Sequence, residues 1–306
     1  LGLVAATYTP FDPQGQLALE VIPGLVSHLL ARGINGLYVC GSTGEGMSLS
    51  TVERRVTAEA YVDASAGRVP VIVQVGHNSL ADARNLAEHA QSIGADIVSA
   101  TCPSYFDVDS VERLVECMAE VAGAAPDLPF YYYHIPALTG SSIDIVEFLE
   151  QGFERIPTLA GLKYTDTKLH EYQSCLEMTA DRGEVVWGCD EMLLGASATG
   201  AKSAIGSTYN VAAPLYRRIM TAVQQGNLVE ARALQSLSVN LVRTLNQYPF
   251  HSAMKAILAM RGFEMGACRL PQASLSSDQQ AALRADLETI GFFDWSYEGG
   301  NPSCAS

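Results

Sequence analysis

The chain has 306 residues, 48 % of them hydrophobic and 17 % charged, which suits a globular protein built as one large α/β barrel or as two ordinary domains. A formal net charge of −14 and an isoelectric point near 4.8 argue against nucleic acid and anionic membrane surfaces as partners, because phosphates would be repelled. An anionic small molecule is not excluded, since a local site can oppose the global sign.

Taken in order, residues 1–9 read as an apolar strand broken by Pro10 and Pro13. Helical spacing of Val21, Leu25, Leu29 and Leu30 predicts a helix over 19–32 that closes at Gly33. A strand over 34–40 leads into the loop GSTGEG, and Ser50 with Glu53 forms a capping box for the next helix. Further strand and helix pairs follow at 69–75 and 79–93, 95–101 and 109–121, and 128–135 and 143–151. The last three pairs fall at 159–163 and 167–179, 185–189 and 190–199, and 202–207 and 214–224. Eight strands that are apolar throughout, each followed by a helix, indicate a closed parallel (β/α)8 TIM barrel. A doubly wound open sheet is the alternative, but no GxGxxG follows the first strand. The barrel is expected over 1–225, with a three-helix C-terminal extension over 226–296 (helices at 227–246, 249–261 and 276–290) and a disordered tail over 297–306.

Seven scattered cysteines without a CxxC pair suit a reduced, cytoplasmic compartment, and six histidines without HxH or HExxH spacing give no support to a metal site. No signal peptide or membrane span is expected, and the missing initiator Met suggests a trimmed start. Lysine is used sparingly, at four positions against fifteen arginines. Lys168 and Lys255 read most simply as solvated charges. Lys163 instead continues an apolar strand, where desolvation would lower its pKa and make it a nucleophilic amine. A strand-end lysine that snorkels to solvent is the other reading.

Barrel active sites lie at the carboxyl ends of the strands. After the second strand, Gly41-Ser42-Thr43-Gly44-Glu45 can aim backbone N–H groups at a carboxylate or phosphate, or can be a simple turn. Alternation along Tyr131-Tyr132-Tyr133 points one or two rings into the barrel. Lys163 and Thr165 follow strand six, Gly188, Asp190 and Glu191 strand seven, and Gly206-Ser207-Thr208 strand eight. One mouth thus gathers an amine, a phenol, an anion-binding loop and two carboxylates.

The motifs GSTGEG, YYYHIPALTG, GLKYTD, WGCDE and IGSTYN, in this order and spacing, resemble those of the N-acetylneuraminate lyases. These belong to the pyruvate-dependent class I aldolase family that also contains the dihydrodipicolinate synthases. The similarity runs over nearly the whole chain. It implies cleavage of N-acetylneuraminate, reversibly, to N-acetylmannosamine and pyruvate, with no cofactor. It also implies that Lys163 forms the Schiff base and that Tyr133, hydrogen-bonded to Ser42 or Thr43, transfers the proton. The amides of Ser42 and Thr43 would hold the pyruvoyl carboxylate. Thr165, Gly188, Asp190, Glu191 and Ser207 would line the sugar end, and Tyr105 would reach into a neighbouring subunit of a homotetramer.

Two residue-level features bear on the substrate. Dihydrodipicolinate synthases typically carry an arginine two residues after the proline of the tyrosine motif, whereas here Pro136 is followed by Ala137 and Leu138. The Asp190-Glu191 pair offers acceptors to a polyhydroxylated tail. Another pyruvate aldolase, acting on a 2-keto-3-deoxy sugar acid or forming dihydrodipicolinate, is the competing expectation. A non-enzymatic barrel binding a sugar acid is a third.

Overall fold

The computed structural model describes residues 1–296. Eight strands, β1 (Leu3–Ala6), β2 (Gly36–Val39), β3 (Val71–Gln74), β4 (Ile97–Thr101), β5 (Phe130–His134), β6 (Leu159–Tyr164), β7 (Glu184–Trp187) and β8 (Ala204–Gly206), close into a barrel in sequence order. Every neighbouring pair is parallel, and β1 pairs with β8. An open doubly wound sheet is thereby ruled out.

The strands are short, and apart from the half-buried Ala160 of β6 and Glu184 of β7 their residues are buried, as expected of a parallel barrel wall packed on both faces; this is why none alternates polar and apolar along its length. Inside, Val4, Tyr38, Ile72, Ile97, Val186 and Ile205 pack with Tyr131 and Tyr133. Tyr132 points the other way, under the helices, with its ring 4.6 Å from that of Phe148. Strand alternation therefore sends two tyrosines of β5 inward and one outward.

Helix ends follow local chemistry. Ser50 and Glu53 form the capping box at the start of Thr51–Ser65, and Ser79, Ser110, Asp144 and Asn227 cap later helices through their side chains. The helix Tyr209–Gln224 begins ahead of the sequence expectation. Ala212 has φ −142° and breaks it, so Pro214 lies just past a kink rather than at the first turn of the whole element. The C-terminal helices Leu228–Leu245, Phe250–Met260 and Ser277–Thr289 are joined by a short Phe292–Trp295 helix that periodicity does not reveal. Leu228–Leu245 lies against Tyr209–Gln224 and so anchors the extension to the barrel.

One reading of the sequence is corrected here. Lys255 is not a solvated charge: it is 2 % exposed and its Nζ lies 2.6 Å from Glu45 Oε1. Lys168 is more than half exposed and pairs with Asp166 at 3.1 Å. The tail at 297–306 lies outside the described residues. Among those described, no helix is long and apolar enough to cross a membrane.

Candidate active site

Strand β6 places Lys163 opposite Tyr133 of β5 and Val186 of β7, with its side chain inside the barrel. The residue is 4 % exposed, and among the described residues no carboxylate lies within ion-pair distance of its Nζ. The amine is boxed by aromatic faces, 3.8 Å from the centre of the Tyr133 ring and 3.9 Å from that of Tyr38. Burial lowers its pKa from 10.5 to about 7, with the nearby Asp190 and Cys189 pulling the other way. Near neutral pH a sizeable fraction is therefore the free amine.

Tyr38 is a site residue that the sequence reading missed. It follows Gly36 at a spacing of two in β2, so strand alternation could have placed it inward. Its hydroxyl pairs with Ser99 Oγ at 3.1 Å, and its ring meets Tyr133 edge to face at 5.7 Å. Burial pushes the Tyr133 phenol up to about 12, and the Ser42 and Thr165 hydroxyls beside it moderate the rise. Thr43 Oγ1 is 2.6 Å from Ser207 Oγ, so the loop after β2 is tied across the mouth to the loop after β8.

The turn at 41–46 is unusually constrained. Glu45 N–H donates to Ser42 O and Gly46 N–H to Gly41 O. Both Cys40, at φ 58°, and Glu45, at φ 55°, occupy the left-handed region that non-glycine residues avoid. A Cβ on Gly46 would overlap the Cys40 carbonyl oxygen, so only glycine fits there. Thr9 Oγ1 holds Gly44 O at 2.7 Å. Among the described residues, the N–H groups of Ser42 and Thr43 have no acceptor within the chain, which leaves two donors for an anion.

On the far side, Gly188 lies so close to Thr165 that a Cβ would overlap its Oγ1. Asp190, which opens a short 3-10 helix, is 7 % exposed. Its Oδ2 accepts from Thr208 N at 2.8 Å and Thr208 Oγ1 at 2.6 Å, and burial raises its pKa to about 7. Thr208, quoted within a motif but given no role by the sequence reading, thus takes up acceptor capacity expected for a sugar. Its hydroxyl also lies 2.5 Å from that of Tyr216. Glu191 is exposed beside it.

Tyr105 lies away from this cluster. With Phe106 it stands out from the loop after β4, the two side chains 79 % and 81 % exposed and their rings 5.0 Å apart. Leu138, on the short helix Pro136–Thr139, is likewise exposed and carries no charge. Among the described residues, His134, Asp166 and Glu171 bring ligand-type atoms within 4.8 Å of one another. Lys168 Nζ already sits 3.1 Å from Asp166 and 4.0 Å from Glu171, so an ammonium supplies the positive charge there.

Fold and site together define an α/β barrel equipped for imine chemistry: a buried amine of lowered pKa, a phenol on its flank, and two free amides at hand. The chain belongs to the dihydrodipicolinate synthetase family, whose profile matches residues 1–290. It is 41 % identical over 291 residues to the N-acetylneuraminate lyase of Xenopus tropicalis, covering 94 % of this chain and 95 % of that one. The solved N-acetylneuraminate lyase of Proteus mirabilis superposes with a TM-score of 0.92 at 36 % identity, covering 95 % of this chain and 98 % of that one. The sialic acid aldolase of Aliivibrio salmonicida gives 0.92 at 38 %, with 95 % and 97 % covered.

Proposed function

We propose that this protein is a class I aldolase that cleaves N-acetylneuraminate reversibly to N-acetylmannosamine and pyruvate. The observation that carries the reading is the buried Lys163 amine, held near pKa 7 against the faces of Tyr133 and Tyr38. Its free form attacks the substrate ketone, and loss of water leaves a protonated imine, an electron sink that needs no metal. The hydroxyl beta to the imine then gives up its proton, the carbon–carbon bond breaks, and its electron pair flows into an enamine. N-acetylmannosamine leaves as the aldehyde. Protonation of the enamine and hydrolysis return pyruvate and the free amine.

Tyr133 is the proton-transfer residue in this scheme. A phenol held near 12 is protonated at neutral pH, so it works as a relay. It accepts the substrate proton while passing its own toward Ser42 and the carboxylate held by the loop. The Ser42 and Thr43 amides bind that carboxylate. Thr165, Gly188, Asp190, Glu191 and Ser207 line the sugar end, and Leu138 leaves no cation for a second carboxylate. In this reading residues 1–225 carry the site and 226–296 form an extension. The protein works as a cytoplasmic homotetramer in which Tyr105 reaches a neighbour's site. Its free thiols and the exposed Tyr105–Phe106 pair support this.

Incubation with N-acetylneuraminate, assayed for N-acetylmannosamine and pyruvate, tests the proposal. Faster condensation of pyruvate with aspartate semialdehyde than cleavage of N-acetylneuraminate would instead make the protein a synthase.

A further inference from the structure

The Glu45 side chain is fully closed off from solvent, and two parts of the C-terminal region grip it. Lys255 Nζ, from the helix Phe250–Met260, lies 2.6 Å from Oε1. The Arg269 backbone N–H donates to Oε2 at 2.8 Å across 224 positions of chain. The Arg269 side chain reinforces the grip. Its guanidinium binds Glu53 at 2.5 and 2.8 Å and reaches the Ser48 carbonyl at 3.3 Å. The Phe11 ring is shared between the two cations, 4.3 Å from Lys255 Nζ and 4.5 Å from Arg269 Cζ.

A buried ion pair is a poor way to gain stability, since well-packed apolar residues of similar volume often do as well. It is a good way to fix geometry. Glu45 sits in the left-handed region, and its own N–H closes the turn on Ser42 O. Such a conformation persists only where the surroundings over-determine it. We infer that Glu45 and Lys255 are positioning residues, which hold the turn at 41–46 so that the Ser42 and Thr43 amides meet the substrate carboxylate. This rests on the aldolase reading above. Neither side chain is assigned contact with substrate; both act through the turn.

The test compares two ketones, pyruvate and acetone, trapped by borohydride on the full-length protein. Only pyruvate has a carboxylate to lose. In Glu45→Gln and Lys255→Met, half-saturating pyruvate should rise about tenfold or more, as expected for a small misplacement of binding groups. Acetone trapping should stay at the wild-type rate, and Lys255→Arg should restore most of the pyruvate affinity. If a single variant does not fold, the charge-neutral double variant Glu45→Gln/Lys255→Met carries the same comparison. Unchanged half-saturation for pyruvate in a folded variant would overturn the inference, and so would equal losses for both ketones. A wild type that traps neither ketone fails earlier: it removes the imine reading itself and the inference with it.

Discussion

Lys163 Nζ lies 3.8 Å from the centre of the Tyr133 ring, so the amine and the phenol-bearing ring are packed against each other. A ring face favours an ammonium, whereas burial disfavours it. Burial wins, and the amine is left near pKa 7.

The direction of the pH dependence follows. Imine formation needs the neutral amine, which is scarce below pH 7 and dominant above it. The initial rate of reductive trapping with pyruvate should rise from pH 6 to pH 8 with a midpoint near 7. Trapping that starts only near pH 10 would mean an ordinary, solvated lysine. Peptide mapping should place the adduct on Lys163, and Lys163→Ala should abolish it.

Tyr133→Phe keeps the ring beside Lys163 and removes the phenol oxygen. Trapping with pyruvate should remain within a few-fold of wild type, while cleavage of N-acetylneuraminate falls by about 10²–10⁴. If both activities drop together, Tyr133 is a packing residue and the relay lies elsewhere.

Much of this was legible in the sequence, because apolar strands and capped helices are local signals. Ser50 with Glu53, the run from Leu159 to Lys163, and the tyrosine alternation of β5 each declare themselves within a few residues. What was not legible depends on distant partners. Lys255 falls in an expected helix, where it reads as a solvated charge, and nothing near it shows that Glu45 waits in a left-handed turn on the barrel. Asp190 looks like a free acceptor until Thr208 is seen to occupy its Oδ2. Pro136–Thr139 and Phe292–Trp295 are single turns, too short to show a period.

The exposed Tyr105–Phe106 pair motivates a prediction about assembly. Two adjacent aromatic rings in solvent are costly unless a partner covers them. Light scattering should give about four times the 32.7 kDa chain mass, as a closed symmetric assembly. Tyr105→Ala should lower cleavage without altering the trapping of pyruvate. A fully active monomer would leave Tyr105 with no role in a neighbour's site.

Asp190 and Glu191 separate most clearly by variant. The Asp190 carboxylate accepts both Thr208 donors, and its Oδ1 lies where a Cβ on Gly206 would be, so it has little freedom to serve a ligand. Removing it in Asp190→Ala leaves the Thr208 N–H unpaired in the interior, at about 1–3 kcal/mol, while the Thr208 hydroxyl keeps Tyr216 as its partner. A fall in melting temperature should accompany weaker cleavage. Asp190→Asn keeps one acceptor oxygen but deletes the charge that raises the Lys163 pKa, so the midpoint of pyruvate trapping should move below 7. Glu191 is exposed at the mouth and makes no such internal bonds among the described residues. Glu191→Gln should therefore weaken cleavage by about tenfold, through lost hydrogen bonding to the sugar, with melting temperature and trapping unchanged. Measuring all three quantities on each variant decides between the roles. If Glu191→Gln is silent and Asp190→Asn loses only cleavage, with its trapping midpoint unmoved, then Asp190 is the sugar acceptor despite Thr208.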